Sequence, residues 1–368
     1  MEPEKLMESF ADLYRTYGYR HFRMSKFEKY ELYAGYKDFL VSDRVITFND
    51  TTGELLALKP DVTLSIVRST EYHAGQKQKL CYRERVYRPA GSEHRFQEIT
   101  QCGLECIGDL DGYDVYEVLH LAGESLRMIS DDRILSVSHL GIVNCLMDAL
   151  QADEPLQQTV LQLIASRNLH ELTELFRQQN WSQPLLSDIR ELLSLNCTMR
   201  ELPQCIRAFG MNWIADDLLR ELEELGSLIT EDDQTMRFDF SVINDIHYYN
   251  GIVFQGFVQG ISEKVLSGGR YDSLLRRMNK KGSAIGFAVY CGLLEQIQSA
   301  ESGSDADVLL LYDSETSLLK VRDTVRQLQA EGCSVSAQRS TAGSGRRVVD
   351  LRGGDDHAEY RVAERPSG

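Results

Sequence analysis

The N-terminal segment EKLMESFADLYRTYGYRHF carries apolar residues at Leu6, Phe10, Leu13 and Tyr17. That spacing is one helical face, and Gly18 stands where such a helix would stop. From about residue 44 to 108 the pattern changes to that of strands. RVITFND and ELLALK flank a Thr-Thr-Gly turn. PDVTLSIVRST then reads as a helix opened by Pro60, since proline is tolerated in a first turn whose amides have no intrahelical partner. KLCYRERVYR and RFQEITQCGLECIG, joined by the short polar loop PAGSEH, read as an antiparallel hairpin. Residues 112 to 230 read as almost entirely helical, with leucine-rich amphipathic stretches such as LLSDIRELLSL and DDLLRELEELGSL. Strands return in MRFDFSVI, where Phe238, Phe240 and Val242 alternate onto one face, and in GIVFQGFV. GGRYDSLLRRMNKKG reads as a glycine turn feeding a helix, with Asp272 as N-cap and Gly282 just past the end.

The small, polar stretch SAESGSDAD, residues 299 to 307, is linker-like. It divides a core of residues 1–298 from a C-terminal unit of residues 308–368. In the latter, VLLLYD, a helix near SLLKVRDTVRQLQAEG and SVSAQR form a strand–helix–strand, followed by RRVVDLR and a polar tail. No internal repeat or low-complexity block is present.

Composition narrows the function classes. The formal net charge is −16 over 368 residues. A field of that sign disfavours nucleic-acid binding, which relies on neutralising phosphates with a basic surface. No run of eighteen apolar residues exists and the N-terminus is acidic and polar, so neither a membrane span nor a signal peptide is expected, and the cytoplasm is the expected compartment. The eight cysteines include no C-x-x-C pair and no His/Cys cluster with zinc spacing, so no metal site is expected. Cys102 and Cys106 fall on one face of a strand and read as buried thiols.

The second hairpin strand carries the most chemistry. Alternation puts Gln101, Gly103 and Glu105 on one face, and Phe96, Cys102, Leu104 and Cys106 on a face suited to a core. A glycine between two polar residues leaves room above the sheet for a ligand, although a solvent-facing side with an incidental glycine reads equally simply. Asp61 and Thr63 suit ordinary helix-start chemistry, or the holding of a ligand ammonium. GGRYD, residues 268 to 272, is a common glycine turn before a helix. His247, in the aromatic stretch NDIHYYNGIVFQG, has packing as its default role. No Ser/His/Asp order, phosphate loop or paired-carboxylate signature stands out.

Taken in order, FEKYELY, LALKPDVT, VYRPAGSEHRFQEITQCGLECIG, HYYNGIVF, SGGRYDSLL and AIGFAV resemble the catalytic core of class II histidyl-tRNA synthetases over about residues 20 to 290. The resemblance implies an α+β fold, an antiparallel sheet flanked by helices with a helical insertion at about residues 150–232, and a dimer of such cores. It also implies a pocket for histidine. Asp61, where synthetases usually carry glutamate, and Thr63 would face the ligand's α-amino group with Gln101. Glu105 and Tyr249 would take the imidazole nitrogens, Tyr248 and Tyr271 would line the pocket, and Arg88 would lie near the carboxylate. A carboxylate with a phenol suits imidazole, which needs an acceptor for its N–H and a partner for its second nitrogen.

The departures from the synthetase pattern matter as much. Asn244 stands where the Arg-Gly-Leu-Asp-Tyr-Tyr signature has its activating arginine. Gly292 and Leu293 replace a glutamate–arginine pair, an expected glutamate is missing near Ala90, and Ser25 replaces a proline. Losing one donor that stabilises a phosphoryl transition state costs about a hundredfold or more in rate. The C-terminal unit is also too short for a complete anticodon-binding domain. These departures make the chain similar to the regulatory subunits of ATP phosphoribosyltransferase, synthetase paralogues with no catalytic activity and no cofactor of their own. That resemblance implies a hetero-oligomer with a short-form catalytic subunit, required for the first step of histidine biosynthesis and inhibited by histidine. The alternatives are a divergent enzyme that activates an amino acid and a free-standing histidine sensor.

Overall fold

The first helix, Pro3–Thr16, buries Leu6, Met7, Phe10 and Tyr14 against the rest of the chain. The buried stripe keeps a three- and four-residue spacing but is rotated from the expected one: Leu13 is half-buried and Tyr17 lies beyond the helix end. Tyr14 explains the rotation, because its hydroxyl shares a 2.8 Å hydrogen bond with buried Ser125 and anchors that edge of the helix. Gly18 turns the chain at φ +84°, a left-handed conformation that glycine adopts without strain.

The structure, a computed structural model, describes residues 3–40, 44–89, 95–230, 234–243, 248–294, 306–339, 345–352 and 359–361. The chain forms two compact units, Met1–Leu294 and Glu295–Gly368.

In the first unit, β1 (Arg20–His21) precedes a small antiparallel sheet of β2 (Phe27–Lys29), β3 (Thr47–Asn49) and β4 (Leu55–Leu58), with β4 in the middle. The long hairpin follows as β5 (Lys77–Pro89) and β6 (Phe96–Gly108), paired antiparallel along its whole length. The remaining strands are β7 (Arg133–His139), β8 (Met236–Phe238), β9 (Ile252–Val258), β10 (Leu266–Arg270) and β11 (Ser283–Tyr290). They complete an eight-stranded sheet in the order β1-β5-β6-β11-β10-β9-β7-β8. Only the outer pairs, β1 with β5 and β7 with β8, run parallel. The helix Gly112–Ile129 packs across β7, β9 and β11, its start fixed by a reciprocal cap between Asp111 and Asp114. This is the expected α+β architecture.

Several local expectations change. β7 interrupts the span read as helical; its sequence RILSVSH alternates serines with apolar residues, yet Leu135 to His139 are all buried. The helix after Pro60 begins only at Thr63, and Asp61, two residues before it, accepts from the Leu64 amide at 3.0 Å. Phe240 and Val242 are buried but lie past the end of β8. Phe96, assigned to the core face, is 44% exposed at the mouth of the hairpin, whereas Cys102, Leu104 and Cys106 are buried. The paired glycines of GGRYD lie inside β10 rather than in a turn, the N-cap is Tyr271, and the helix Asp272–Arg277 ends well before Gly282.

Helices between Glu154 and Leu228 lie in the chain between β7 and β8 and bury Val160, Ile164, Leu172, Phe176 and Ile189. In the second unit, β12 (Ala306–Leu311) lies between β13 (Val335–Gln338) and β14 (Gly345–Asp350), parallel to both, and β15 (Glu359–Arg361) closes one edge antiparallel. The helix Leu318–Ala330 covers this sheet through Val321 and Leu328, packed with Val308, Leu310 and Val349. Among the described residues, no helix is long and apolar enough to cross a membrane and no group of metal-ligating side chains is assembled.

Candidate functional site

Strand register builds the site. Glu84, Tyr82 and Leu80 of β5 stand opposite Gln101, Gly103 and Glu105 of β6. On the other side of β6, Tyr290, Ala288 and Gly286 of β11 stand opposite the same three residues. Cross-strand partners share a face, so one side of the sheet presents Gln101 and Glu105 beside Tyr82 and Tyr290. Above this face lies a cavity of about 460 Å³. All eight residues singled out from sequence line it: Asp61, Thr63, Arg88, Gln101, Glu105, Tyr248, Tyr249 and Tyr271. Gln101 is 3% exposed and Glu105 2%, which removes the solvent-facing reading of that strand.

Glycines make the room. A Cβ at Gly286 would collide with the Glu105 carboxylate and the Leu104 carbonyl. At Gly269 it would sit 2.7 Å from the Tyr249 ring, and at Gly103 it would sit 2.6 Å from the Tyr82 hydroxyl. The space above Gly103 is therefore taken by the Tyr82 ring from the facing strand, not left for a ligand. The glycine pair of β10 does the corresponding work for the Tyr249 ring, the Phe254 ring and the Cβ of Phe287.

Glu105 is the centre of the polar network. Thr63 donates to its Oε1 at 2.8 Å and Tyr271 to its Oε2 at 2.5 Å. Burial pushes its pKa up to about 8; the two hydrogen bonds oppose that shift and nearby Asp61 adds to it. Asp61 is also raised by burial, with Arg88 pulling the other way. Arg88 is itself committed: its Nε donates to the Pro60 carbonyl at 2.7 Å and its Nη2 lies 3.4 Å from Asp61 Oδ2. Tyr248 closes the apolar side, its ring 4.8 Å from that of Tyr249, 5.7 Å from Tyr271 and 5.9 Å from Phe39. Asp272, expected as a cap, instead accepts from the Ala284 amide at 3.0 Å and from Arg270 at 2.9 Å, tying the helix that carries Tyr271 to β11.

The cavity can thus offer hydrogen-bond acceptors at Asp61 and Glu105, an amide at Gln101, phenols and aromatic faces. Gln101 has no hydrogen-bond partner for its side chain among the described residues although it is almost fully buried. Sequence reasoning missed Tyr82, Lys264, Ser267 and Tyr290, which also line the cavity. The hairpin register alone would have found Tyr82, directly opposite Gly103. Ser267 and Tyr290, joined by a 2.7 Å hydrogen bond, depend on the pairing of β10 with β11. Asn244, His247 and Ala90 lie outside the described residues. Gly292 has open space around it, and with Leu293 it brings no charge to the position where a glutamate–arginine pair is expected.

An antiparallel sheet carrying a buried, polar and aromatic amino-acid-sized cavity defines a class II synthetase-like protein. The histidyl-tRNA synthetase family profile matches residues 2–294, and the chain belongs to that family. Within it, the chain is similar to an ATP phosphoribosyltransferase regulatory subunit from Oceanobacillus iheyensis, 27% identical over 78% of this chain and 72% of that one. A second regulatory subunit of that name, from Caldanaerobacter subterraneus, is 29% identical over 77% of this chain and 75% of its own length. A solved structure from Bacillus halodurans, described as an ATP phosphoribosyltransferase regulatory subunit/histidyl-tRNA synthetase, superposes with a TM-score of 0.69 at 23% identity. It covers 95% of this chain and 94% of that one, a likeness of fold.

Proposed function

We propose that this chain is a non-catalytic regulatory subunit that binds a short-form ATP phosphoribosyltransferase catalytic subunit, is required for its activity, and places it under histidine control. The relatives carrying that name align over about three-quarters of both chains. The observation that supports the reading is a synthetase-like cavity whose arginine is committed to other partners. Its arginine, Arg88, is tied to Asp61 and Pro60, and Gly292 and Leu293 supply no charge. Adenylate formation needs donors aimed at developing phosphate charge, and a committed guanidinium supplies little.

Histidine is the ligand that suits the cavity. Its ammonium meets Asp61, Thr63 and Gln101, and its ring meets Glu105 and Tyr249 between the faces of Tyr248 and Tyr271. Because Glu105 titrates near 8, ring and carboxyl sit close in proton affinity, and either arrangement of the shared proton completes the hydrogen bond. Control of the partner requires only that the two conformational states bind histidine differently, by about 1–3 kcal/mol. In this reading the chain works as a dimer of synthetase-like cores in the cytoplasm, with no cofactor, membrane or nucleic-acid partner.

Two measurements on the full-length chain test the assignment. It should co-elute with a short-form catalytic subunit as a hetero-oligomer, and it should show no histidine-dependent ATP–pyrophosphate exchange. Robust exchange would instead identify a divergent amino-acid-activating enzyme.

A further inference from the structure

Among the described residues, four charged ones line the cavity: Asp61, Arg88, Glu105 and Lys264. Asp61 and Arg88 face each other, both little exposed, and Arg88 is further held by a backbone carbonyl. Burial keeps Glu105 largely protonated at neutral pH. Lys264 differs from the other cation: it is half-buried on the cavity wall and makes no ion pair or hydrogen bond among the described residues.

Its place along the sheet is defined. Tyr290 stands opposite Gln101, and the Tyr290 amide donates to the Val265 carbonyl at 2.8 Å, so Lys264 lies one residue beyond the Gln101 level, on the chain entering β10, two strands over from β6. Glu105 lies in the opposite direction along β6 from Gln101, so Lys264 and Glu105 stand toward opposite ends of the cavity that both line.

We propose that Lys264, rather than Arg88, is the residue that anchors the ligand's carboxylate. This deepens the histidine reading of the cavity and rests on it. Arg88 then opposes the effect of burial on Asp61 and orients its carboxylate, and Lys264 sets the preference for an α-amino acid over the corresponding amine.

Titration calorimetry with L-histidine and with histamine, which lacks the carboxylate, tests this on the full-length chain. Wild type should bind histidine at least about tenfold more tightly than histamine, as expected for a charge-assisted contact. Lys264→Met and Lys264→Gln should both lose that tenfold for histidine while leaving histamine within about twofold, and Lys264→Arg should restore most of it. Variants that bind histidine as wild type does would overturn the assignment of Lys264 and leave the histidine pocket standing. Equal losses for both ligands would also overturn it, by showing a packing role. A wild-type chain that binds neither ligand would overturn the pocket reading and this assignment together.

Discussion

Glu105→Gln isolates the electrostatic strain at the centre of the cavity. A glutamate has an ordinary pKa of 4.5, and burial raises Glu105 to about 8 in the folded chain. Between those values the native state holds a proton that the unfolded state has released, so stability must fall as pH rises. The gap is 8 − 4.5 = 3.5 units, and at about 1.36 kcal/mol per unit it amounts to about 5 kcal/mol of lost stability, complete just above pH 8. Glutamine has nearly the same shape and cannot ionise; its oxygen accepts from one of the Thr63 and Tyr271 hydroxyls and its amide donates to the other, which rotates to accept. Urea unfolding of the ligand-free wild type and variant at pH 5, 6, 7 and 8.5 should give curves that separate with pH, the variant gaining by several kcal/mol at pH 8.5 relative to pH 5. Other titrating groups cancel in the difference. Parallel stability profiles would refute the reasoning, because they would mean that Glu105 ionises without penalty.

Further substitutions probe the supports of the site. Gly286→Ala places a methyl group against the Glu105 carboxylate and the Leu104 carbonyl; calorimetric melting should show a loss of about 1–3 kcal/mol, and histidine binding should disappear. Glu84→Ala strands the ammonium of Lys59, which is 1% exposed and pairs with Glu84, and should cost about 3–5 kcal/mol in denaturant unfolding. Asp272→Ala breaks the acceptor for the Ala284 amide and for Arg270, so histidine affinity should fall with the loosened Tyr271 helix even where the fold survives, as titration would show.

Much of the site could be read from sequence because it rests on short-range periodicity. A two-residue repeat put Gln101 and Glu105 together, and ordered motifs brought in Asp61, Thr63, Arg88 and three tyrosines from distant segments. That both faces of β6 are buried from Gln101 onward was not legible from β6 itself. The cavity side depends on β11 and on the segments of Thr63 and Tyr271, which come from distant parts of the chain. β7 was missed although its serines alternate with apolar residues, because a seven-residue strand between two long helical patterns does not interrupt their periodicity. The glycines of β10 imitate a turn in sequence, whereas in the sheet they are small because rings pass over them. Lys264 gave no signal, since a single lysine before a strand is ordinary until the strand's neighbours are known.

Control of a catalytic partner by this chain can be measured directly. 5-Phosphoribosyl-ATP formation should be followed for the short-form catalytic subunit alone, with this chain, and with this chain plus histidine. The rate should be low for the catalytic subunit alone, rise markedly on adding this chain, and fall again with histidine, a suppression that Glu105→Gln weakens. A rate that is the same in all three mixtures would contradict that control.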